Sequence, residues 1–258
     1  MKYLFLFLCL YSLSLYGQSA HIREIKDMPS DRFYHTGDST IVYPLIVTKN
    51  PAADKLMNAV IRGEVLVGED PDDNPVDKKI PLRKALRNWE GLTTISYGVS
   101  FNRNGILSMD VYVEEGGNNI IRHQHYFNFD LRTGGSLAVG DLLDSASVDS
   151  FTVKVLADKR KMLERYKVKT LKAALAKREI DPAGYNEALQ VVDECMKAVS
   201  MGDFSLSPKG LDIFDPCAVG GDMRMNDPEG KLSYSYGVLA FFLKAGFRLR
   251  LPVVTGGR

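Results

Sequence analysis

The sequence predicts an α+β fold, an antiparallel sheet meander packed against helices and followed by a C-terminal strand-rich segment. Three observations carry that reading. The segments run strand, helix, meander, helices, strands, without repeated parallel βαβ units. Alternating apolar and polar residues mark Thr94–Phe101, Ile106–Glu114 and Ile120–Leu131 as consecutive strands. Helical periodicity then dominates from about Val148 to Val199.

Taken in order, Ser39–Thr48 (STIVYPLIVT) is β-branched and reads as a strand. Asn50 is placed to cap a helix that begins at Pro51, where the missing N–H costs nothing. Ala53, Leu56, Met57, Val60 and Ile61 are its expected buried face. Gly68–Lys79 has prolines and acids but no apolar period, and reads as an exposed loop. Its Asp70, Asp72 and Asp73 lack the glycine and closing glutamate of a calcium-binding EF-hand. A short helix over Leu82–Trp89 precedes the meander, whose first hairpin carries Asn102–Gly105 (NRNG) with a turn-favouring Asn-Gly. Gly116–Asn119 makes the next turn, and Arg132–Gly135 ends the third strand.

A long helical stretch from Val148 to Arg178 follows. A second helix, restarted by Asp181 and Pro182, turns Tyr185, Leu189, Val192, Met196 and Val199 inward. Phe204–Ser207 and Leu211–Phe214 flank the turn Pro208-Lys209-Gly210. Asp215-Pro216-Cys217 opens a loop rich in Gly, Met and Asp. Tyr234–Leu243 reads as a strand running into a short helix, and Phe247–Val254 as a last alternating strand.

The first twenty residues carry an address. Lys2 precedes an apolar run over Tyr3–Leu15, and small residues follow at Gly17, Ser19 and Ala20, the pattern of a secretory signal peptide. The run is shorter than the roughly 20 residues of a membrane-spanning helix; an uncleaved anchor is the alternative. The expected organisation is a signal peptide over 1–20, an N-terminal extension over 21–38, an α+β subdomain over 39–145 with the meander, and a helical and strand segment over 146–258 of the same globular unit. The expected location is secreted or periplasmic.

With 33 Lys and Arg against 32 Asp and Glu in 258 residues, the formal net charge is +1. That balance gives no electrostatic reason to expect nucleic acid or an anionic membrane as the main partner. Loss of the leader removes Lys2 and Cys9, leaving Cys195 and Cys217. Two thiols in an exported chain invite a disulfide; two free thiols are the alternative.

Several strings carry a family resemblance. They are ISYGVSFNRNGILSMDVYVEEGG (Ile95–Gly117), YFNFDLRTGGSLAVGDLL (Tyr126–Leu143), FSLSPKGLDIFDPCAVGG (Phe204–Gly221) and YGVLAFFLKAG (Tyr236–Gly246). Together they resemble a family of exported bacterial domains of unknown function. The likeness extends to the extracytoplasmic lysozyme-sensing domain of the anti-sigma-V factor and to the region preceding the catalytic domain of some peptidoglycan deacetylases. Many members carry Gly-Ala-His before the third strand, where this chain reads Gly116-Gly117-Asn118-Asn119, so that histidine's role does not transfer. The resemblance implies an exported, non-catalytic envelope domain whose partner is a protein such as lysozyme or a cell-wall glycan.

The chemistry-bearing residues are sparse. His123 and His125 share one strand face and would need His21 or His35 to complete a zinc site. Ile121, Phe127 and Phe129 share that face, so a strand with one dry and one wet end accounts for both imidazoles, and no metal or cofactor is expected. The sequence has neither a Gly-x-Ser-x-Gly elbow nor a His-Glu-x-x-His helix. Cys217 with His125 as base would need a free thiol. Glu114 with Glu115, or Asp141 with Asp144, would be the acids of a cell-wall hydrolase, the rival to a binding role; a purely structural envelope protein is the third reading. The helix bearing Lys154, Lys159, Arg160, Lys161, Arg165, Lys167, Lys169 and Lys172 is either a solvated face or a surface for an acidic polymer. The expected binding rim comprises Gly116, Gly117, Asn118, Asn119, His123, His125, Asp215 and Asp222, with no catalytic residue.

Overall fold

The computed structural model describes residues 18–27, 40–66, 81–89, 91–116, 120–219, 228 and 230–252. The acidic loop over Gly68–Lys79 lies outside them. The α+β reading holds. A five-stranded, mostly antiparallel sheet is packed with helices, and a three-stranded sheet lies toward the C-terminus. Two compact units divide the chain, residues 1–137 with 205–208 and residues 138–204 with 209–258.

The first unit begins with a strand that the sequence reading took for an extension. β1 (His21–Asp27) pairs antiparallel with β2 (Ile41–Val47). Its HIREIKD composition gives only a faint alternation, because an edge strand needs little apolar surface. Asn102 brackets the residue before it, its side-chain amide bonding both Ala20 N and Ala20 O at 2.8 Å. α1 (Pro51–Val65) starts where expected, with Asn50 Oδ1 accepting from Ala52 N and Ala53 N. Its buried line is Ala53, Met57, Ile61 and Val65, while Leu56 is 55% exposed. At about 100° per residue, the fourfold spacing of that line rotates Leu56 off the contact face.

α2 (Leu82–Asn88) leads into β3 (Leu92–Arg103), β4 (Ile106–Glu115) and β5 (Ile121–Asp130). The sheet order is β1-β2-β3-β4-β5, so each meander strand lies beside its sequence neighbour. One link is parallel: β2 meets β3 at Ile41 and Ile95, which makes α1 and α2 a single crossover connection. Arg103 pairs with Ile106 across a two-residue turn in which Asn104 and Gly105 have φ of 55° and 73°, the left-handed pair a tight hairpin requires. The core collects Tyr43 and Ile46, the α1 line, Leu86 and Trp89 of the α2 region, Leu107, Met109, Val111 and Val113 of β4, and Phe127 and Phe129 of β5.

The second unit contains α3 (Val139–Leu142), a 3₁₀ turn at Ser145–Ser147, and α4 (Val148–Tyr166). α4 passes through a π-helical turn at Lys167–Leu171 into α5 (Lys172–Ala176). The expected long helix is thus a continuous run of three pieces. α6 (Pro182–Cys195) is capped by Asp181, which accepts from Gly184 N at 2.7 Å. It ends earlier than Val199, in a tighter turn where Lys197 N donates to Glu194 O at 3.0 Å; beyond it Arg160 Nε donates to Met196 O at 2.8 Å and Lys159 Nζ to Ala198 O at 3.0 Å. Then come β6 (Asp203–Leu206), β7 (Gly210–Phe214), β8 (Lys231–Ser235), α7 (Tyr236–Leu239) and α8 (Ala245–Arg248). The last alternating strand expected over Phe247–Val254 is not formed through Pro252. Lys244 O instead accepts from Phe247 N and Arg248 N, closing a helical turn. Alternation over so few residues fits a helical turn as well as a strand, and local hydrogen bonds decide between them.

Candidate functional site

β4 and β5 carry two opposed faces, and pairing of Val113 with His123, Val111 with His125 and Met109 with Phe127 puts the histidines on the core face. Ring centroids are spaced 6.2 Å from His123 to His125, 6.3 Å on to Phe127 and 6.1 Å on to Phe129. Both imidazoles are partly exposed where both phenyl rings are buried. The stripe runs from wet to dry along a single strand. Among the described residues no group of three or more His, Cys, Asp or Glu is arranged to hold a metal ion. His21 lies on β1 and His35 outside the described residues.

The opposite face of the same strands holds a polar network that the sequence reading passed over. Glu114 pairs across strands with Arg122, whose Nε donates to Glu114 Oε2 at 2.9 Å and to Tyr112 Oη at 3.1 Å. Tyr112 Oη donates to the same Oε2 at 2.8 Å. Hydrogen bonds from Tyr112 and then from Arg122 hold the Glu114 carboxyl below its ordinary range. Burial pushes the Tyr112 phenol up, and its bond to Glu114 adds to the shift.

One turn of the pleat away, Gln124 Nε2 donates to Asp110 Oδ2 at 2.6 Å. Partial burial still raises the Asp110 carboxyl above its ordinary value, against the bond from Gln124. Asp110 stands opposite Gly98 of β3, and a Cβ at Gly98 would lie 2.9 Å from Asp110 Oδ1. Glycine therefore leaves room for the carboxylate to lie across the sheet. Tyr126 belongs to the same parity. Farther along this face Leu206 N donates to Ser108 Oγ at 2.9 Å and Ser205 Oγ to Ser100 Oγ at 3.4 Å, so residues 205–208 cover that end. Ser108 and Asn128 are buried there, whereas Asp110, Tyr112, Glu114 and Tyr126 stay partly open and Gln124 exposed. A period-two series Asp110-Tyr112-Glu114 against Arg122-Gln124-Tyr126 was the available signal.

The carboxylates proposed for hydrolysis have other work. Glu114 and Glu115 are sequence neighbours on one strand and so point to opposite faces; Glu115 Oε2 accepts from Trp89 Nε1 at 3.1 Å. Asp141 caps α3 by accepting from Ala138 N at 2.8 Å, and Asp144 caps the 3₁₀ turn by accepting from Ala146 N at 3.2 Å. Asp110 and Glu114 lie four residues apart along β4, about 13 Å at the usual strand rise. Glycosidase acids stand about 5–9.5 Å apart.

Of the expected rim, Gly116 donates its N–H to Gly91 O at 2.7 Å, and Gly117, Asn118 and Asn119 lie outside the described residues. Asp222 does too. Asp215 belongs to the second unit, where Lys159 Nζ donates to its Oδ2 at 2.6 Å and Ser200 N at 3.0 Å. Lys159 is only 4% exposed, so the basic helix buries one of its cations. Three other members of that stripe are engaged as well: Lys154 with Asp158, Lys167 with Glu164 and Asp193, and Arg160 with Met196 O. Two residues beyond Asp215, Cys217 is joined to Cys195 with Cα atoms 6.0 Å apart, the bridge the thiol count invited.

Within the string Tyr126–Leu143, the residues Phe127–Gly134 (FNFDLRTG) serve the fold. Asp130 accepts from Arg132 N at 2.9 Å and from its guanidinium Nη2 at 3.0 Å, and Asn50 Nδ2 donates to Arg132 O at 2.9 Å. Gly134, at φ +76°, passes so close to α1 that a Cβ would fall 2.6 Å from Ala53 O. The block fastens the end of β5 to the start of α1.

No family model matches the chain, and no curated protein does. Solved structures give a more distant likeness. A DUF3298 family protein from Pseudomonas aeruginosa PAO1 aligns at 14% identity over 89% of this chain and 96% of its own, with a TM-score of 0.49. A DUF3298 family member from Bacteroides fragilis NCTC 9343 aligns at 14% identity over 90% and 96%, with a TM-score of 0.47. At that identity and those scores neither carries an argument about activity. The resemblance to the lysozyme-sensing domain and to the deacetylase region stands on the sequence strings alone. No described helix is long and apolar enough to cross a membrane.

Proposed function

We propose that this chain is an exported envelope domain that acts by binding, through the open polar face of β4 and β5, a protein such as lysozyme or a cell-wall glycan. The observation that carries the reading is the pairing of tyrosine rings with amide and carboxylate groups on one sheet face. Tyr112 and Tyr126 offer flat apolar area with a polar tip, and Asp110, Gln124, Glu114 and Arg122 offer oriented donors and acceptors. Rings that stack and side chains that bond hydroxyls suit a sugar face or a polar protein epitope. Asp110 adds support, as a carboxylate held partly out of water on this face, with room left for it by Gly98. Export rests on the leader-like residues 1–20, and the Cys195–Cys217 bridge accords with an oxidising compartment.

The test is retention of lysozyme and of soluble peptidoglycan fragments on the immobilised protein, alongside Tyr112→Ala and Gln124→Ala variants. The wild type retains one of the two ligands, and Tyr112→Ala weakens that binding about tenfold or more. Retention of neither, or equal retention by every variant, rejects the sheet face as the site.

A further inference from the structure

We propose a second surface on this protein: an apolar, cationic segment at Val238–Leu249 that docks onto an anionic phospholipid bilayer. The near-neutral total conceals a local asymmetry. From Lys231 to Pro252 the chain has Lys231, Lys244, Arg248 and Arg250 and not one Asp or Glu. Lys231 is paired with Asp212 at 3.0 Å, but among the described residues no carboxylate pairs with Lys244 or Arg248. Arg248 Nε donates to Leu243 O at 2.9 Å, and the Arg250 guanidinium lies over the Phe247 ring, 5.1 Å from its centroid.

The apolar residues of the stretch divide into two sets. Tyr236, Leu239, Leu243 and Leu251 are buried, while Val238 is 38%, Phe241 81% and Leu249 67% exposed. Hydrogen bonds from Ala240 N to Tyr236 O and from Leu243 N to Leu239 O continue the helical winding past α7. Val238 and Phe241, three residues apart, therefore share its outward side. One exposed phenylalanine is ordinary, but Phe241 beside Val238, with Leu249 exposed eight residues on, groups apolar surface as interaction sites do. The charge pattern selects the cover. Asp144 flanks the segment, its N–H bonded to Phe242 O at 2.7 Å, but the segment itself carries cations only, which suits an anionic surface better than the mixed charges of a protein face. Aromatic and aliphatic tips that enter the acyl boundary, with Lys and Arg at the phosphates, are how interfacial segments bind. The surface involves neither β4 nor β5, so it stands or falls separately from the sheet-face reading.

The experiment is co-sedimentation of the full chain with vesicles of phosphatidylcholine alone and of phosphatidylcholine mixed with phosphatidylglycerol. Binding is expected to the mixed vesicles only and to weaken with added salt. Phe241→Ser lowers it about tenfold or more, and Lys244→Gln with Arg248→Gln lowers it about tenfold at low ionic strength. Tyr112→Ala leaves it unchanged. Because Phe241 is on the surface, the variants keep the wild-type circular dichroism. A Phe241→Trp variant adds a direct readout, a blue-shifted emission on mixed vesicles against the signal of Trp89, which is already buried. Absence of binding, equal binding to both vesicles, or indifference to Phe241→Ser overturns the proposal. So does capture of a protein through Phe241 without vesicle binding.

Discussion

Asp215 sits two residues from a disulfide, and its role separates a structural account of the loop from a binding one. Its Oδ2 receives Lys159 Nζ at 2.6 Å and Ser200 N at 3.0 Å, and that ammonium also holds Ala198 O at 3.0 Å. The side chains are 5% and 12% exposed, so neither charge has much water to fall back on. Asp215→Asn keeps the shape but leaves the ammonium buried without a counter-charge. Removing one partner of a buried pair costs about 3–5 kcal/mol; the carbonyl of the new amide can still accept from Lys159, which places the expected loss near the lower end. Lys159→Met strands the carboxylate instead, with Ser200 N still donating to it, and is expected to cost a similar amount. The double variant Lys159→Met with Asp215→Asn buries no charge at all. Its cost is therefore expected to fall short of the sum of the two single losses by at least about 2 kcal/mol. Urea unfolding followed by circular dichroism measures all four corners of the cycle. A loss below about 0.5 kcal/mol for Asp215→Asn, the range of ordinary surface substitutions, refutes the buried-pair reasoning and returns Asp215 to solvent.

Two further outcomes are expected. Opening the Cys195–Cys217 bridge, whose sequence separation is 22, is expected to cost roughly 3 kcal/mol through the freed unfolded chain; coincident urea midpoints with and without reductant would exclude that contribution. Asp110→Asn is expected to stabilise the fold at neutral pH. The folded carboxyl titrates above its ordinary 3.8, so wild-type stability is fully present below that pH and declines as the pH rises through the folded value. The amide has no such decline. The advantage of the variant therefore vanishes in acid, and an advantage that persists below pH 3.8, or none at neutral pH, contradicts the burial argument.

Local physics made much of the fold legible in advance. The Asn50–Pro51 start of α1, the Asn104-Gly105 turn and the Asp181 cap each depend on a few neighbouring residues, and each formed as read. β1 was missed because an edge strand's identity comes from its partner, here β2, not from its own apolar content. The sheet-face network escaped notice for a related reason. Asp110, Tyr112, Glu114, Arg122 and Gln124 alternate as any solvated strand does, and only the pairing of Glu114 with Arg122 and of Tyr112 with Gln124 turns two such strands into one connected surface.

What the linear chain determined, then, is whatever a few adjacent residues decide among themselves: strand or helix, cap or turn, and the two thiols available for a bridge. Tertiary structure decided which face each side chain joined and which charges lost their water. Lys159 looks in sequence like any other cation of a basic helix, and Asp215 like any other acid of a loop. Fifty-six positions of chain separate them, and only folding brings the two within 2.6 Å in a place that excludes solvent. Phe241 shows the converse. Its neighbours in sequence are as apolar as it is, and only the winding of α7 leaves it outside while Leu239 and Leu243 go in. Burial is a property of the assembled chain, because it depends on what arrives from elsewhere to displace water.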